Sequence, residues 1–461
     1  MADSDVSGPE LNELETDVAE LKAEFTAPAS PRSRVATAVR ALRHRNFQLF
    51  FAGQLISLIG TWMQTVAQSW LVYRLTGSTL LLGTVGFASQ FPVFLVAPIG
   101  GAVADRSKRH RVVIATQTAS MLLAFILAIL TLSHHIQVWQ IMVLAAGLGI
   151  VNAFDIPARQ AFLMDMVGRE DLMNAIALNS SMFNGARIIG PAVAGVVVAW
   201  VGEGWCFFAN AVSYIAVIAG LLMMKITHPV NLAKEGSPLE HILAGFRFAA
   251  QTAPIRAILL LLGLVSLVGM PYSVLMPVFA SEILHGGARE LGLLMGATGI
   301  GALLGALSLA SRVGVKGLGK LIAACAGGFG MSLIAFAFSK IFWLSLILLV
   351  PVGFTMMVQM ASSNTLLQSM VPDQMRGRVI ALYTMMFMGV APFGAFFAGA
   401  LAHRIGAPWT VAIGGFACIC GAALFGSILP RFRAQARELI LAQGMVGGAP
   451  AEEMTTRGLS S

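Results

Sequence analysis

Beyond residue 45 the chain alternates long apolar stretches with short polar or basic interruptions. The apolar runs cover 47–73, 80–104, 112–133, 137–158, 175–201, 204–224, 256–281, 290–311, 319–338, 342–366, 377–402 and 406–428. Each is close to the ~20 residues that an α-helix needs to cross a bilayer. The pattern predicts an all-α membrane protein with twelve transmembrane helices, and the even number of crossings puts both chain ends on one side. Outside these runs the texture changes. Residues 1–31 are rich in Glu, Asp, Ala and Pro; Leu11, Leu14, Val18, Leu21 and Phe25 fall at helical spacing, but the composition is that of a partly disordered tail. Within 225–255, Pro238, Leu239, Ile242, Leu243 and Phe246 predict an amphipathic helix on the membrane surface. The expected organisation is a tail (1–45), a six-helix bundle (46–224), a linker (225–255), a second six-helix bundle (256–430) and a C-terminal tail (431–461).

The two bundles echo each other at a step of 204 residues. Ala177-Leu178, Met182-Phe183, Gly190 and Gly195 recur as Ala381-Leu382, Met386-Phe387, Gly394 and Gly399, while Gly101, Ser107 and Lys108 map onto Gly305, Ser311 and Arg312. A tandem duplication of membrane helices predicts two pseudo-symmetric halves rocking about a central site, the organisation of a secondary transporter. The charges do not repeat. Asp105, Asp155, Arg187 and Pro191 correspond to Leu309, Gln359, Ala391 and Ala395, so latch and coupling chemistry is expected in the N-terminal half.

Composition agrees with a hydrocarbon environment, since 57% of residues are hydrophobic and 11% charged, against roughly 25% charged in soluble domains. Basic residues predict the orientation. Arg32, Arg34, Arg40, Arg43 and Arg45 precede the first run and Arg106, Lys108, Arg109 and Arg111 follow the second, whereas the opposite face carries Arg74, Arg289, Lys340 and Arg404. Basic loops are retained in the cytoplasm, so both termini are expected there. This asymmetry accounts for the net charge of +8 without a nucleic-acid partner. Cys206, Cys325, Cys418 and Cys420 lie in apolar runs without metal spacing and read as packing residues. Gly314-Val-Lys-Gly-Leu-Gly319-Lys320 imitates a P-loop, but Leu321 stands where Ser or Thr would bind magnesium. With no GxSxG, HExxH or zinc pattern either, the sequence reads as a non-enzymatic, monomeric transporter of small molecules, powered by an ion gradient and needing no cofactor or metal.

Polar residues inside the apolar runs mark the expected site. Arg187 falls about 12 residues into the fifth run, ~18 Å at 1.5 Å per residue. An arginine at that depth costs at least ~2.5–3.5 kcal/mol, so it should face a cavity and have a partner. It is a candidate for binding a substrate anion, for pairing with a proton-carrying carboxylate, or for a fixed structural pair. Asp105 and Asp155 are expected near cytoplasmic helix ends, Asp165 in the following loop and Glu282 near the outer end of the seventh run; of these Asp155 is the candidate proton carrier because Arg159 lies one turn away, with a structural Asp–Arg pair the equal alternative. Gln54, Thr61, Gln64, Thr65 and Gln68 of the first run, Ser266 and Tyr272 of the seventh, and Gln359, Ser363 and Asn364 of the tenth are candidates for the cavity wall. Interhelical hydrogen bonding is the alternative for each. Neutral polar groups beside Met and Phe suit a large amphipathic substrate that is not strongly cationic.

One motif closes the second run: Gly101-Ala-Val-Ala-Asp105-Arg106-Ser-Lys108-Arg109-His-Arg111. It resembles the GxxxDRxGRR signature of the major facilitator superfamily, with Lys108 where that family usually has glycine. The resemblance implies that Gly101 admits a close helix neighbour and that Asp105, with Arg106 and Arg109, latches the cytoplasmic side. Asp155-Ile-Pro157-Ala-Arg159-Gln160, Asn174 through Ser181, and Asn184-Gly185-Ala-Arg187-Ile-Ile-Gly190-Pro191 to Gly195 resemble the branch containing enterobactin exporters and drug and macrolide efflux proteins. Gly185, Gly190, Pro191 and Gly195 are similar to the glycine–proline motif linked there to antiporters. The resemblance implies proton-coupled export of a siderophore, drug or macrolide-like molecule across a bacterial plasma membrane, the inner one in a Gram-negative cell; uptake, or a non-coupled lipid-moving or sensor protein on the same scaffold, is the alternative. Val143 stands where many relatives carry a fourth-helix arginine, so their proton relay does not transfer directly.

Overall fold

The computed structural model describes residues 40–225, 238–312 and 314–447, so the candidate tail helix over residues 11–25 and the basic residues Arg32 and Arg34 lie outside the described residues. Among the described residues the secondary structure is helical, and twelve helices are long and apolar enough to cross a membrane. The first bundle comprises α1 (Arg45–Thr76), α2 (Thr79–Arg106), α3 (Arg109–Leu132), α4 (Val138–Val167), α5 (Leu172–Val201) and α6 (Glu203–Leu222). The amphipathic linker helix α7 (Pro238–Gln251) follows. The second bundle comprises α8 (Ala253–Ile283), α9 (Ala288–Ala310), α10 (Leu318–Ala337), α11 (Phe342–Met370), α12 (Asp373–Ile405) and α13 (Ala407–Ser427). A further helix, α14 (Leu429–Gly447), occupies the start of the segment read as a C-terminal tail.

The spans follow the apolar runs, with departures in α4 and α8 and a π turn at Met385–Gly389 in α12. Helix α4 runs on past residue 158 to Val167, so Asp165 is helical instead of lying in a loop. The polar residues that end the apolar run, Asp155 and Arg159, pair with each other inside the helix and do not need to leave it. Helix α8 is interrupted by π turns at Val265–Gly269 and Phe279–Ile283 and a 3-10 turn at Met270–Ser273. Pro271 and Pro277 remove backbone donors there, and such irregular backbone at membrane depth is tolerated where it lines a cavity.

The duplication is visible in three dimensions. α4 and α11 begin, α5 and α12 end, and α6 and α13 begin at positions 204 residues apart. The single-residue turns between α5 and α6 and between α12 and α13 are Gly202 (φ 89°) and Gly406 (φ 85°), a left-handed conformation that favours glycine. Trp139, Trp200, Trp205, Trp343 and Trp409 are exposed at the helix ends remote from the termini, forming an interfacial aromatic belt. Trp139 and Trp343, like Trp205 and Trp409, are one repeat apart. Within each bundle a glycine sets the same close crossing. A Cβ added at Gly149 would lie 2.4 Å from the Ser89 carbonyl oxygen, and one at Gly353 1.9 Å from that of Thr298.

The bundles meet through α5 against α9 and α2 against α12. Under the repeat these two contacts exchange, because α2 corresponds to α9 and α5 to α12. A Cβ at Gly292 would lie 2.4 Å from the Pro191 carbonyl oxygen and 2.9 Å from the Gly195 Cα; one at Gly83 would lie 2.5 Å from the Ala395 carbonyl oxygen and 3.0 Å from the Gly399 Cα. Thr79 Oγ1 donates to the Gly399 carbonyl at 3.1 Å, and the Tyr73 hydroxyl donates to Glu282 across the same seam. These contacts lie in the half remote from the termini. Toward the termini Gly101 and Gly185 face open space, and Ile99, Met173 and Ile176 are exposed. The molecule is closed at its far face and parted at the face bearing its ends. Helix α7 straps that open face to α12, with Gly245 against Arg378, and leaves Leu243 and Phe246 exposed; the side chains of 238–242 lie outside the described residues.

Candidate functional site

A cavity of about 320 Å³ opens between the bundles at mid-depth. Helix α1 presents Trp62, Thr65, Gln68, Ser69 and Val72 to it, a spacing of three to four residues that keeps them on one face. α5 contributes Arg187 and Pro191, the irregular part of α8 contributes Met270, Tyr272 and Ser273, and α2 contributes Ser89 and Gln90. Met276, Met295 and Met356 complete an adaptable wall. Among the described residues, Arg187 is the one charged side chain on this lining. Its guanidinium carbon lies 5.9 Å from the Trp62 ring centroid, within cation–π range. Among the described residues no carboxylate lies within ion-pair distance of it. Asn184 and Ser180 precede Arg187 by one and two turns along α5 and continue that face toward the termini.

Of the residues read as cavity wall, Gln68 and Tyr272 line it, as does Thr65. The others are placed elsewhere. Gln64 is buried and accepts from Asn210 Nδ2 at 2.7 Å, so it bonds α1 to α6. Thr61 returns its hydroxyl to the Ser57 carbonyl at 2.9 Å, and Gln54 is buried within the first bundle. Ser266 donates to the Phe387 carbonyl, and Gln359 and Ser363 are buried inside the second bundle, away from the lining. Asn364 accepts from Gln368 one turn further along α11. Period alone identifies a shared face but not the neighbour that the face meets. Trp62, which that reasoning missed, carried a signal: it begins the same i, i+3 series that holds Thr65 and Gln68.

Asp155 and Arg187 are not brought together. Asp155 is 2% exposed, packed between α3 and α4, and receives Thr116 Oγ1 at 2.8 Å, Gln117 Nε2 at 2.9 Å and Arg159 Nε at 3.1 Å. At the repeat-related position Gln359 has, among the described residues, no hydrogen-bond partner for either amide atom. The residues of the latch motif are described in part. Gly101 meets nothing, and the close approach falls one residue earlier, where a Cβ on Gly100 would lie 2.0 Å from the Ala153 carbonyl oxygen of α4. Arg109 Nη1 donates to Asp165 Oδ1 at 3.1 Å, tying α3 to α4; Arg106 is exposed, and the side chain of Asp105 lies outside the described residues. The fifth-helix glycines divide by neighbour: Gly190 packs on Trp62 and Ile59 of α1, Gly195 on Arg289, and Gly185 on nothing. Between α4 and α5, Asp171 receives the His44 imidazole and Arg40 guanidinium, which hold its carboxyl below the usual carboxylate range.

Known proteins resemble this chain along nearly its whole length. The staphyloferrin A transporter of Staphylococcus aureus (strain NCTC 8325 / PS 47) is 28% identical over 80% of this chain and 93% of its own. The enterobactin exporter EntS of Citrobacter koseri (strain ATCC BAA-895 / CDC 4225-83 / SGSC4696) is 26% identical over 85% and 93%. The crystal structure of the nucleoside transporter NupG superposes with a TM-score of 0.66 at 14% identity, covering 84% of this chain and 99% of that one, which establishes a shared fold. Residues 36–445 match the transmembrane secretion effectors, and the chain belongs to this family of major facilitator transporters.

Proposed function

We propose that this protein exports a small amphipathic molecule bearing an anionic group, of the siderophore kind, in exchange for protons. The observation that carries this reading is Arg187, a cation on the cavity wall over Trp62 with no carboxylate partner among the described residues. A substrate anion supplies the missing charge, and the methionine-rich wall accommodates an apolar body. The likeness to a staphyloferrin A transporter and an enterobactin exporter supports the substrate class, and the second supports the direction. The basic loops favour cytoplasmic termini in a bacterial plasma membrane, so the open face looks inward and is ready to load. Asp155 is the proposed proton carrier, and the proton gradient replaces any cofactor. The functional unit is the monomer, because the cavity is formed by the two halves of one chain.

Inside-out vesicles loaded with this protein test the reading against a panel of siderophores, macrolides and dyes. A pH gradient should drive uptake of an anionic siderophore. Arg187→Gln should weaken its binding roughly tenfold to a hundredfold, the loss of a hydrogen bond to a charged group worth ~1.5–3 kcal/mol. Asp155→Asn should abolish proton coupling while leaving binding intact, and unaltered coupling removes Asp155 from the scheme. A panel with no proton-dependent movement in either direction overturns the exporter reading.

A further inference from the structure

A second cavity, of about 450 Å³, lies at the termini-bearing end of the second bundle, far from the central site. The first turns of α8, the last turns of α13 and the start of α14 enclose it. Its walls are apolar, with Leu260, Leu264, Leu424 and Ile428 among them, and Arg256 and Arg431 stand on its rim. Leu260 is 64% and Leu424 69% exposed on membrane-spanning segments, so the groove opens sideways to hydrocarbon. Arg431 is held in place by its neighbour: Phe432 packs on Phe425, ring centroids 5.1 Å apart, and against Gly319 of α10. Arg256 spends one N–H on the Ala250 carbonyl at 2.8 Å. Neither arginine lies within ion-pair distance of a carboxylate among the described residues, and no Asp or Glu lines the groove.

We infer that this groove is a binding site for an anionic phospholipid, the phosphate held by Arg256 and Arg431 and an acyl chain lying between α8 and α13. The charges and the walls select the same occupant. A free anion would use the rim and leave the apolar walls empty, and a zwitterionic lipid carries its own cation against the two guanidiniums. Basic pockets between helix ends at a membrane surface bind anionic headgroups in this way. The bound lipid bridges α14 to α8 and so fastens the C-terminal helix to the first span of its bundle.

Thermal unfolding of the purified full chain in neutral detergent, with phosphatidylglycerol or phosphatidylcholine added, tests this. Phosphatidylglycerol should raise the midpoint by about 2–4 °C more than phosphatidylcholine. Arg256→Gln with Arg431→Gln should remove that excess, whereas Arg433→Gln, an exposed arginine on α14 that does not line the groove, should keep it. Leu424→Trp, which fills the groove and leaves both arginines in place, should also remove it. Glycerol phosphate should have no effect. Equal shifts from the two lipids, retention of the excess in the double variant or the tryptophan variant, loss of it in Arg433→Gln, or a full shift from glycerol phosphate overturns the site.

Discussion

Arg187 and Asp171 show how differently a charge behaves at two depths. At mid-membrane, Arg187 stands half-buried on a cavity wall, and its energy depends on what the cavity offers, at present the face of Trp62. Asp171 sits at the membrane surface, where His44 and Arg40 reach it from the segment before α1 and hold its carboxyl below the usual range. A lowered carboxylate pKa stabilises the fold above the unfolded value of ~3.9, and that contribution is lost as pH falls through the folded value. The Asp171→Asn variant should therefore melt below the parent at neutral pH, and the gap should close as pH drops below about 4. A gap that persists unchanged at pH 3 would show that the charge is not what joins these segments.

At the scale of helices, hydrogen bonds between spans explain why the fold was more legible than the site. Runs of apolar residues specify helices whatever their neighbours, so the spans and their pairing at 204 residues were readable from pattern alone. The breaks in α8 were foreshadowed by Pro271 and Pro277, but their form depends on the cavity beside them. The wall was only half readable, because a polar residue in a span has two ways of being satisfied. Gln68 faces the cavity, while Gln64, one turn earlier, is taken by Asn210 of α6. Removing that donor with Asn210→Leu leaves the Gln64 carbonyl oxygen buried and unpaired, at a cost of about 1 kcal/mol. The midpoint of thermal unfolding should fall, and adding Gln64→Leu should restore much of the loss; a double variant less stable than the sum of the singles would mean that packing, not the bond, dominates.

For the whole molecule, alternating access requires the far face to open, and the duplicated scaffold closes that face with two similar glycine contacts. Gly292 lies against Pro191 and Gly195, and Gly83 against Ala395 and Gly399, which are the same two positions one repeat later. Their hydrogens allow backbones to approach to a distance no side chain permits. A valine at Gly292 must place a Cβ 2.4 Å from the Pro191 carbonyl oxygen, so it penalises the state seen here and spares one in which the far face is parted. A penalty of ~1.4 kcal/mol shifts the ratio of the two states about tenfold. With Ser69→Cys as a reporter on the cavity wall, in a background freed of Cys206, Cys325, Cys418 and Cys420, a membrane-impermeant thiol reagent added from the far side should label Gly292→Val several-fold faster than the parent. Gly185→Val is the matched control, because a side chain there meets open space in this state and should not speed labelling. Equal labelling of the Gly292→Val variant and the parent would mean that the glycine seam does not hold the far face shut. Opening would then have to be governed by the remaining bonds across it, Tyr73 to Glu282 and Thr79 to Gly399.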